Sequence, residues 1–261
     1  MKILKKFFLL TVIFSLFSLS ACEKISNPFH KLSEGDKKIS AEFLEEQTYQ
    51  GHIDLSNLGL TKIPDFTKFL SGTGADAITS ISLNANKITE IDGEKFKNFL
   101  NLKELDLSFN QIKNTEGIEK IPSRILGKLD LTKAGIEEID GIGELTSLQE
   151  LHLNFNKIKK VDGLENLKNL KYLGLARNQL TNIDKLSALN NLDTLKIEFN
   201  QVENIDKILN NEKSKLQMFT IKFNKINPEI VKAVEENNQR VYKMRHPQGN
   251  GDLQKINTEK K

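Results

Sequence analysis

The sequence contains no tryptophan and a single cysteine among its 261 residues. One cysteine cannot form a disulfide within the chain. Long apolar runs are missing as well, because the run from Phe7 to Leu19 is shorter than the roughly 20 residues that cross a bilayer. Hydrophobic residues make up 38% of the chain and charged residues 28%, which is typical of a globular protein.

The first residues have the organisation of an export signal. Three lysines precede the short apolar run and small residues follow it, which predicts a signal peptide over residues 1–21. The segment Leu19-Ser20-Ala21-Cys22 resembles the lipobox of bacterial lipoproteins. This resemblance implies cleavage before Cys22 and attachment of acyl chains such as palmitate to that residue, and two or three chains anchor a protein stably. The alternative is an ordinary secreted protein with an unmodified Cys22.

The predicted mature chain lacks an excess of either charge, because the three surplus lysines lie in the signal. A chain without a basic excess is not expected to bind nucleic acid. It also lacks the motifs G-x-S-x-G, H-E-x-x-H, G-x-x-x-x-G-K-[ST] and C-x-x-C. We therefore predict that the protein is not an enzyme and uses no cofactor or metal. The alternative is an enzyme whose site these motifs do not describe.

Most of the mature chain repeats one phrase, LxxLxLxxNxIxxI. The copies that begin at Leu148 and Leu170 read LQELHLNFNKIKKV and LKYLGLARNQLTNI, and many neighbouring copies are 22 or 24 residues apart. About eight copies cover residues 50–227. A phrase of this kind at a period of 20 to 29 residues is the signature of leucine-rich repeats.

The 22-residue unit resembles the internalin-like class of bacterial leucine-rich repeats. This resemblance implies a leucine-rich-repeat solenoid, which is a curved, right-handed coil of the α/β type. Its concave face would be a parallel β-sheet, and its convex face would be mostly 3₁₀ or extended. The residue pattern agrees, because the two leucines of xLxLx point to one side of a strand and their neighbours to the other. One unit cannot bury its leucines alone, so we expect the coils to stack.

Segments of different composition flank the repeats. Residues 22–39 are polar and predict a flexible tether. Residues 40–49 predict a capping helix in which Ser40 is the N-cap and Phe43 and Leu44 face the first coil.

The carboxyl-terminal flank has a second helix signal. Residues 228–238 begin with proline, which is favoured in the first turn of a helix, and they predict a second capping helix. Residues 239–261 are polar and predict a disordered tail.

Asparagine recurs near the middle of each phrase, in what we call the Asn column. Its members are Asn86, Asn110, Asn156, Asn178, Asn200 and Asn224. An amide both donates and accepts, so we expect it to bond backbone groups that the turn leaves unpaired. Leu58 and Ala134 occupy the column in the other two coils. Leu58 lies in the terminal coil, whereas Ala134 predicts a weak or distorted coil in the middle of the stack.

An acidic column follows each phrase. Its members are Asp92, Asp140, Asp162, Asp184 and Asp206. We expect each aspartate to cap the short helical turn that comes next, by accepting from backbone N–H groups. The alternative is a ladder of calcium ligands.

Partner binding is predicted at two groups of residues. The first lies on outward strand positions and comprises Glu150, His152, Tyr172 and Lys196. The second lies one residue before the Asn column and comprises Phe109, Lys133, Phe155, Arg177, Phe199 and Phe223. Mixed charge suits a protein partner, and aromatic residues and arginine are frequent hot spots of protein interfaces. The alternative for the second group is that its phenylalanines fold over the turns and pack on one another.

Together these features predict a membrane-anchored, non-enzymatic protein that binds a protein from a host or from the envelope, as the resemblance to internalins implies. The alternative is a periplasmic structural or envelope-assembly scaffold with no host-facing role. Glu23 stands where aspartate is associated with inner-membrane retention in enteric bacteria, which favours the outer membrane. The residues leave open which side of that membrane the protein faces.

Overall fold

The computed structural model of the chain describes Leu44 and residues 47–66, 73–122 and 124–245. Nine short strands form one sheet in chain order. They are β1 (Thr48–Tyr49), β2 (His52–Asp54), β3 (Ser80–Ser82), β4 (Glu104–Asp106), β5 (Lys128–Asp130), β6 (Glu150–His152), β7 (Tyr172–Gly174), β8 (Thr194–Lys196) and β9 (Met218–Thr220). β1 is antiparallel to β2, and every later strand is parallel to the one before it.

The pairing keeps each repeat in register with the next. The middle residue of each strand from β2 to β9 is apolar and pairs with the middle residue of its neighbour, as Leu129 does with Leu151 and Leu151 with Leu173. These three leucines are fully buried. Each coil therefore covers the apolar residues of the coil before it, and the predicted leucine-rich-repeat stack is confirmed.

The segments opposite the sheet are short, because from β3 onward only 19 or 21 residues separate one strand from the next. The 3₁₀ helices are Gly93–Phe96, Ile118–Lys120, Ile142–Glu144, Leu164–Asn166 and Asp184–Ala188. Two single turns of α-helix, α1 (Thr73–Asp76) and α2 (Asp206–Leu209), also occur. The prediction of mostly 3₁₀ and extended segments on this side is confirmed.

The Asn column holds adjacent coils together from the inside. The Asn156 side chain is 8% exposed, and its Oδ1 accepts from the three backbone N–H groups of residues 134–136 at 2.9–3.1 Å. Its Nδ2 donates to the carbonyl oxygens of Leu131 and Leu153 at 2.9 and 3.0 Å. One amide therefore satisfies backbone groups of its own coil and of the preceding one, as predicted.

Ala134 interrupts this column. In an intact turn the N–H two residues after the column donates to the next asparagine, as that of Ile158 does to Asn178 Oδ1 at 3.0 Å. The equivalent Ile112 faces Ala134, which has no amide to accept its N–H. The coil still keeps its register, because Leu129 remains paired on both sides. The turn backbone also matches the other coils, with φ of +53° at Lys133, so the predicted distortion is absent and the missing acceptor is the difference that remains.

The last coil is covered by helix α3 (Pro228–Arg245). The helix begins where it was predicted but continues past residue 238, so the prediction of a disordered tail is wrong for residues 239–245. Neither proline nor glycine occurs between residues 229 and 246, so the sequence contains no strong helix stop there. The rest of the predicted tail lies outside the described residues.

Asn238 of α3 closes the open edge of the sheet. Its Oδ1 accepts from the Phe219 N–H at 3.0 Å, and its Nδ2 donates to the Phe219 carbonyl at 2.6 Å. A side-chain amide thus takes the place of a further strand beside β9. An edge blocked in this way is protected from pairing with another chain.

At the amino-terminal end the predicted capping helix is only partly described. Leu44 is helical and 1% exposed. Residues 48 and 49, which were predicted to be helical, form β1 instead. Gln50 and Gly51 both have positive φ, +48° and +79°, which is the backbone of a tight hairpin turn and pairs β1 with β2.

Other predictions for this end concern residues that the structure does not describe. The signal peptide, Cys22, the tether over 22–39, Ser40 and Phe43 all lie outside the described residues. Within the described residues no helix is long and apolar enough to cross a membrane.

Candidate protein-binding surface

One residue per coil, directly before the Asn column, has a left-handed backbone. We call these eight residues the turn column, and their φ values lie between +53° and +58°. Its members are Asn57, Ala85, Phe109, Lys133, Phe155, Arg177, Phe199 and Phe223. The chain leaves each strand here. Except at Phe223, which lies in the last coil, each N–H donates to a carbonyl of the next coil, as that of Phe155 does to Ala176 at 2.8 Å. The backbone of the turn column is therefore fixed by neighbouring coils.

The side chains of the turn column contact one another along the stack. The Arg177 guanidinium lies 5.1 Å from the ring centre of Phe155 and 4.0 Å from that of Phe199. Phe199 stacks on Phe223 with ring centres 4.2 Å apart and planes 13° apart. These four residues form one continuous stack. Farther along the column the Lys133 Nζ lies 5.4 Å from the centre of the Phe109 ring.

Contact with one another does not bury these phenylalanines. The exposed fractions are 51% for Phe109, 53% for Phe155, 39% for Phe199 and 65% for Phe223. The alternative of mutual packing and the hypothesis of an exposed aromatic surface therefore both describe the geometry. Aromatic rings that are held in place and remain in solvent offer area to a partner without much loss of side-chain entropy.

The four predicted residues of the strands also meet, in what we call the sheet cluster. The rings of His152 and Tyr172 stack with centres 4.5 Å apart, and the Lys196 Nζ lies 5.5 Å from the centre of the Tyr172 ring. The His152 Nε2 is 3.6 Å from the Glu150 Oε2. The structure thus brings these residues together across β6, β7 and β8, as their common register requires.

Several acidic residues on the sheet face have partners within the fold. The Oδ1 atoms of Asp106 and Asp130 accept from the N–H groups of Ser108 and Thr132 at 2.9 and 2.8 Å, which stabilises the strand exits. By contrast, Lys133, Arg177 and Lys196 form no ion pair within 4.0 Å of any carboxylate among the described residues. The cations of this surface are available to a partner, whereas much of its negative charge is already engaged.

The prediction for the acidic column is correct only at Asp92, whose Oδ1 accepts from the Glu94 N–H at 3.2 Å. Asp162 instead forms an ion pair with Lys185, with Oδ1 and Nζ 2.7 Å apart, and Asp184 pairs in the same way with Lys207 at 2.9 Å.

At the other turns, glycine or asparagine provides the cap that was expected from aspartate. Gly117, Gly141 and Gly163 precede three of the 3₁₀ helices with left-handed φ and no side-chain cap. The N–H groups of Asp184 and Asp206 donate to asparagine side chains two residues earlier. Single-glycine turns and short asparagine caps compete well with aspartate at such positions, which explains the failure of the prediction.

No group of three or more histidine, cysteine, aspartate or glutamate side chains in the described part of the chain is placed to bind a metal ion. The calcium alternative for the acidic column therefore has no supporting geometry there. Its aspartates lie on the side of the coils opposite the sheet, and two of them form ion pairs with lysine.

Two features of the surface were missed in the sequence. The left-handed turn was not foreseen, because phenylalanine, lysine and arginine are uncommon in that conformation, in which glycine and asparagine are favoured. A second set of asparagines, at the entrance to the strands, donates to carbonyl oxygens of the preceding coil at 2.8–2.9 Å. Its members are Asn101, Asn169 and Asn191. The recurring dipeptide Asn-Leu was the signal that could have revealed them.

Comparisons with known proteins agree with this architecture. The family described as "Leucine rich repeat" matches residues 76–136 and 146–202. Among solved structures, internalin C2 from Listeria monocytogenes is 28% identical, with a TM-score of 0.56 over 68% of this chain and 73% of that one. The internalin InlF from the same organism is 20% identical, with a TM-score of 0.43 over 75% and 66% of the two chains. A search of curated protein sequences finds no match.

The repeats, their pairing and the match to internalin C2 show a leucine-rich-repeat fold that resembles that of the bacterial internalins. The fold presents a stacked scaffold of the class that mediates protein–protein interactions. Its candidate surface consists of the turn column and the adjoining sheet cluster.

Proposed function

We propose that the protein is a non-enzymatic binding protein that is anchored to a bacterial membrane through a lipid on Cys22. The turn column and the sheet cluster contact a protein partner. The observation that carries this proposal is the row of four phenylalanines that remain 39–65% exposed on a backbone fixed by hydrogen bonds to neighbouring coils.

The physical argument rests on preorganisation. A partner that covers these rings gains the burial of apolar area, about 25 cal/mol for each Å² removed from water. Because each ring already contacts another ring or a cation of the turn column, little additional order has to be imposed on it when the partner binds. Large exposed apolar side chains are uncommon as a contiguous row on a monomeric protein, and such rows usually mark an interaction site.

Site-specific crosslinking in living cells tests the binding surface. A photo-crosslinking amino acid is placed at Phe155, and the matched control carries it at Lys185 in the 3₁₀ segment opposite the sheet. We expect a discrete adduct from position 155 and none from position 185. The absence of adducts from both positions, or the same adducts from both, contradicts the proposal.

The two interpretations of the turn column are separated by replacing phenylalanines next to the probe. The substitution Phe199→Ser is introduced into the chain that carries the crosslinker at position 155. A strong loss of the adduct with little change in melting temperature supports a role in binding. A lower melting temperature with the adduct intact supports the interpretation that these rings stabilise the fold by packing on one another.

The membrane anchor is tested separately. Metabolic labelling with palmitate is compared between the wild type and Cys22→Ala, together with partitioning into detergent. The proposal requires that both the label and the partitioning are lost in the variant, and label that persists contradicts it. Treatment of cells with protease tests which side of the membrane the protein faces, and digestion on intact cells would favour a surface location. Digestion only after permeabilisation would favour a periplasmic scaffold.

A further inference from the structure

Arg177 occupies an unusual position within the turn column. Its guanidinium lies between the rings of Phe155 and Phe199, at 5.1 and 4.0 Å from their centres. The cation therefore contacts two rings, and its side chain makes no hydrogen bond to any described residue. Its N–H donors, which lie in the plane of the guanidinium, remain available.

The charge of Arg177 is also unpaired. Among the described residues no carboxylate lies within ion-pair distance of it, although Glu198 is its neighbour on the next coil through the bond from the Arg177 N–H to the Glu198 carbonyl. Most other ion pairs join cations to carboxylates one coil away, as Lys157 joins Glu137 at 3.0 Å. A cation that contacts two rings and lacks an anion is arranged to receive one from outside the chain.

We infer that Arg177 binds a carboxylate of the protein partner, in an acidic segment whose apolar side chains contact Phe155, Phe199 and Phe223. This inference rests on the proposed function and specifies its chemistry. The carboxylate approaches the edge of the guanidinium, where two parallel N–H donors fit its two oxygens. Contact with the two rings restricts the guanidinium before the partner binds.

Charge on the neighbouring sheet favours a short acidic segment over an extended polyanion. Asp106, Asp130 and Glu150 lie on the sheet face beside the column, and their negative charge repels a chain of phosphates or an anionic membrane surface. A peptide segment with alternating acidic and apolar residues places charge only at Arg177 and apolar groups on the rings. A protein segment is therefore the occupant that fits both features.

The test uses three labelled peptides and the full chain purified in detergent. In the first peptide aspartate alternates with leucine, in the second asparagine replaces the aspartate, and in the third serine replaces the leucine. Fluorescence anisotropy at low and high salt measures binding. We expect the first peptide to bind more tightly than the other two, and its affinity to fall with added salt.

Variants locate the site. We expect Arg177→Gln to weaken binding of the first peptide about tenfold or more, because it removes a charge that is hydrogen-bonded to the peptide. Arg177→Lys should recover only part of the affinity, because an ammonium lacks the planar pair of donors. Glu198→Gln should strengthen binding by removing a neighbouring negative charge. The control Lys185→Gln removes a cation that is already paired with Asp162, and we expect no change.

Several results would overturn the inference. These are failure of the acidic peptide to bind, equal binding of the asparagine peptide, or unchanged affinity in Arg177→Gln. Binding of anionic lipid vesicles or oligothymidylate that depends on Arg177, without binding of the peptide, would also overturn it. Failure of the proposed function is a separate result: a crosslinked adduct that survives Arg177→Gln contradicts only the carboxylate site, whereas absence of any adduct at position 155 in the wild type contradicts the proposed function.

Discussion

Two columns of side chains run next to each other along the same turns and differ in almost every property. The Asn column is asparagine in six of its eight coils, whereas the turn column contains asparagine, alanine, phenylalanine, lysine and arginine. Asn156 is 8% exposed and Phe155, its predecessor in the chain, is 53% exposed. Adjacent residues of one turn are thus under different physical constraints.

The difference follows from which group completes the hydrogen bonds of the backbone. In the Asn column the side chain does so, and no other uncharged side chain of that size supplies one acceptor and one donor group in the same place. In the turn column the backbone N–H makes the bond to the next coil itself. The side chain there needs only to tolerate the left-handed backbone, so its chemistry is free to serve binding.

The largest effect is expected from removing a member of the Asn column. Asn156→Ala leaves the N–H groups of residues 134–136 and the carbonyls of Leu131 and Leu153 without this partner. Each unpaired buried group costs about 1–3 kcal/mol, so we expect unfolding by urea to show a loss of about 3 kcal/mol or more.

The control for that measurement is Asn169→Ala, which removes an exposed asparagine with one hydrogen bond to the Thr146 carbonyl at 2.9 Å. Exposed backbone groups regain bonds to water, so its loss should be about 1 kcal/mol or less. If both variants lose similar stability, the buried amide is not what holds the turns together.

A gain of stability is expected where the Asn column is broken. Ala134→Asn supplies an amide oxygen to the N–H of Ile112 and restores the bond seen elsewhere, which should add about 1 kcal/mol in urea unfolding. Ala134→Leu adds a similar volume without the amide and is expected to destabilise, because the position is fully buried. Destabilisation by both substitutions would show that the coil has adapted to the small residue.

The repeat, the register of the strands and the Asn column could be predicted from the sequence, because they recur. A spacing of 22 or 24 residues applies to all coils alike, and one buried polar residue in an apolar phrase has few roles open to it. The grouping of Glu150, His152, Tyr172 and Lys196 followed from the same register.

What does not recur, or depends on competing groups of similar energy, could not be predicted. The contacts of Arg177 with two rings depend on side-chain rotamers in neighbouring coils. Whether Asp162 caps a turn or pairs with Lys185 depends on alternatives that differ by less than about 1 kcal/mol. The extension of α3 past residue 238 depends on the modest helix propensity of a polar segment, which composition alone assigned to a disordered tail.

A smaller effect on the free energy of unfolding is expected from substitutions that distinguish backbone strain from ring contacts in the turn column. Phe155→Ala removes the ring and keeps a side chain at a φ of +58°, whereas Phe155→Gly removes the ring and the strain. The left-handed conformation costs a non-glycine residue about 1–2 kcal/mol, so the glycine variant should be the more stable of the two by about 1 kcal/mol. The control is the same pair of substitutions at exposed Lys157, whose φ is not positive. There the alanine variant should be at least as stable as the glycine variant. If Phe155→Gly is less stable than Phe155→Ala, the left-handed backbone at this position is not strained.

The smallest effect concerns the acidic column, where charge rather than backbone geometry links the coils. The hydrogen bond and the charge of Lys185 hold the pKa of Asp162 below its ordinary value, and hydrogen bonds to Asp162 and Glu165 raise the pKa of Lys185. Because the pKa of this carboxyl is lower in the folded state than in the unfolded state, the ion pair contributes its full stability above the unfolded-state pKa. That contribution is lost as the pH falls through the folded-state pKa.

Lys185→Met should therefore return the pKa of Asp162 towards its ordinary value, as measured by NMR titration of the carboxyl carbon. Stability should fall slightly at neutral pH and remain unchanged in acid, where the carboxyl is protonated in either state. The control Lys87→Met removes an exposed lysine with no ion pair among the described residues and should leave that pKa unchanged. Because both partners of the Asp162 pair are about half exposed, solvent screens the interaction. If the pKa of Asp162 is the same in Lys185→Met as in the wild type, the ion pair between these coils makes no measurable energetic contribution in solution.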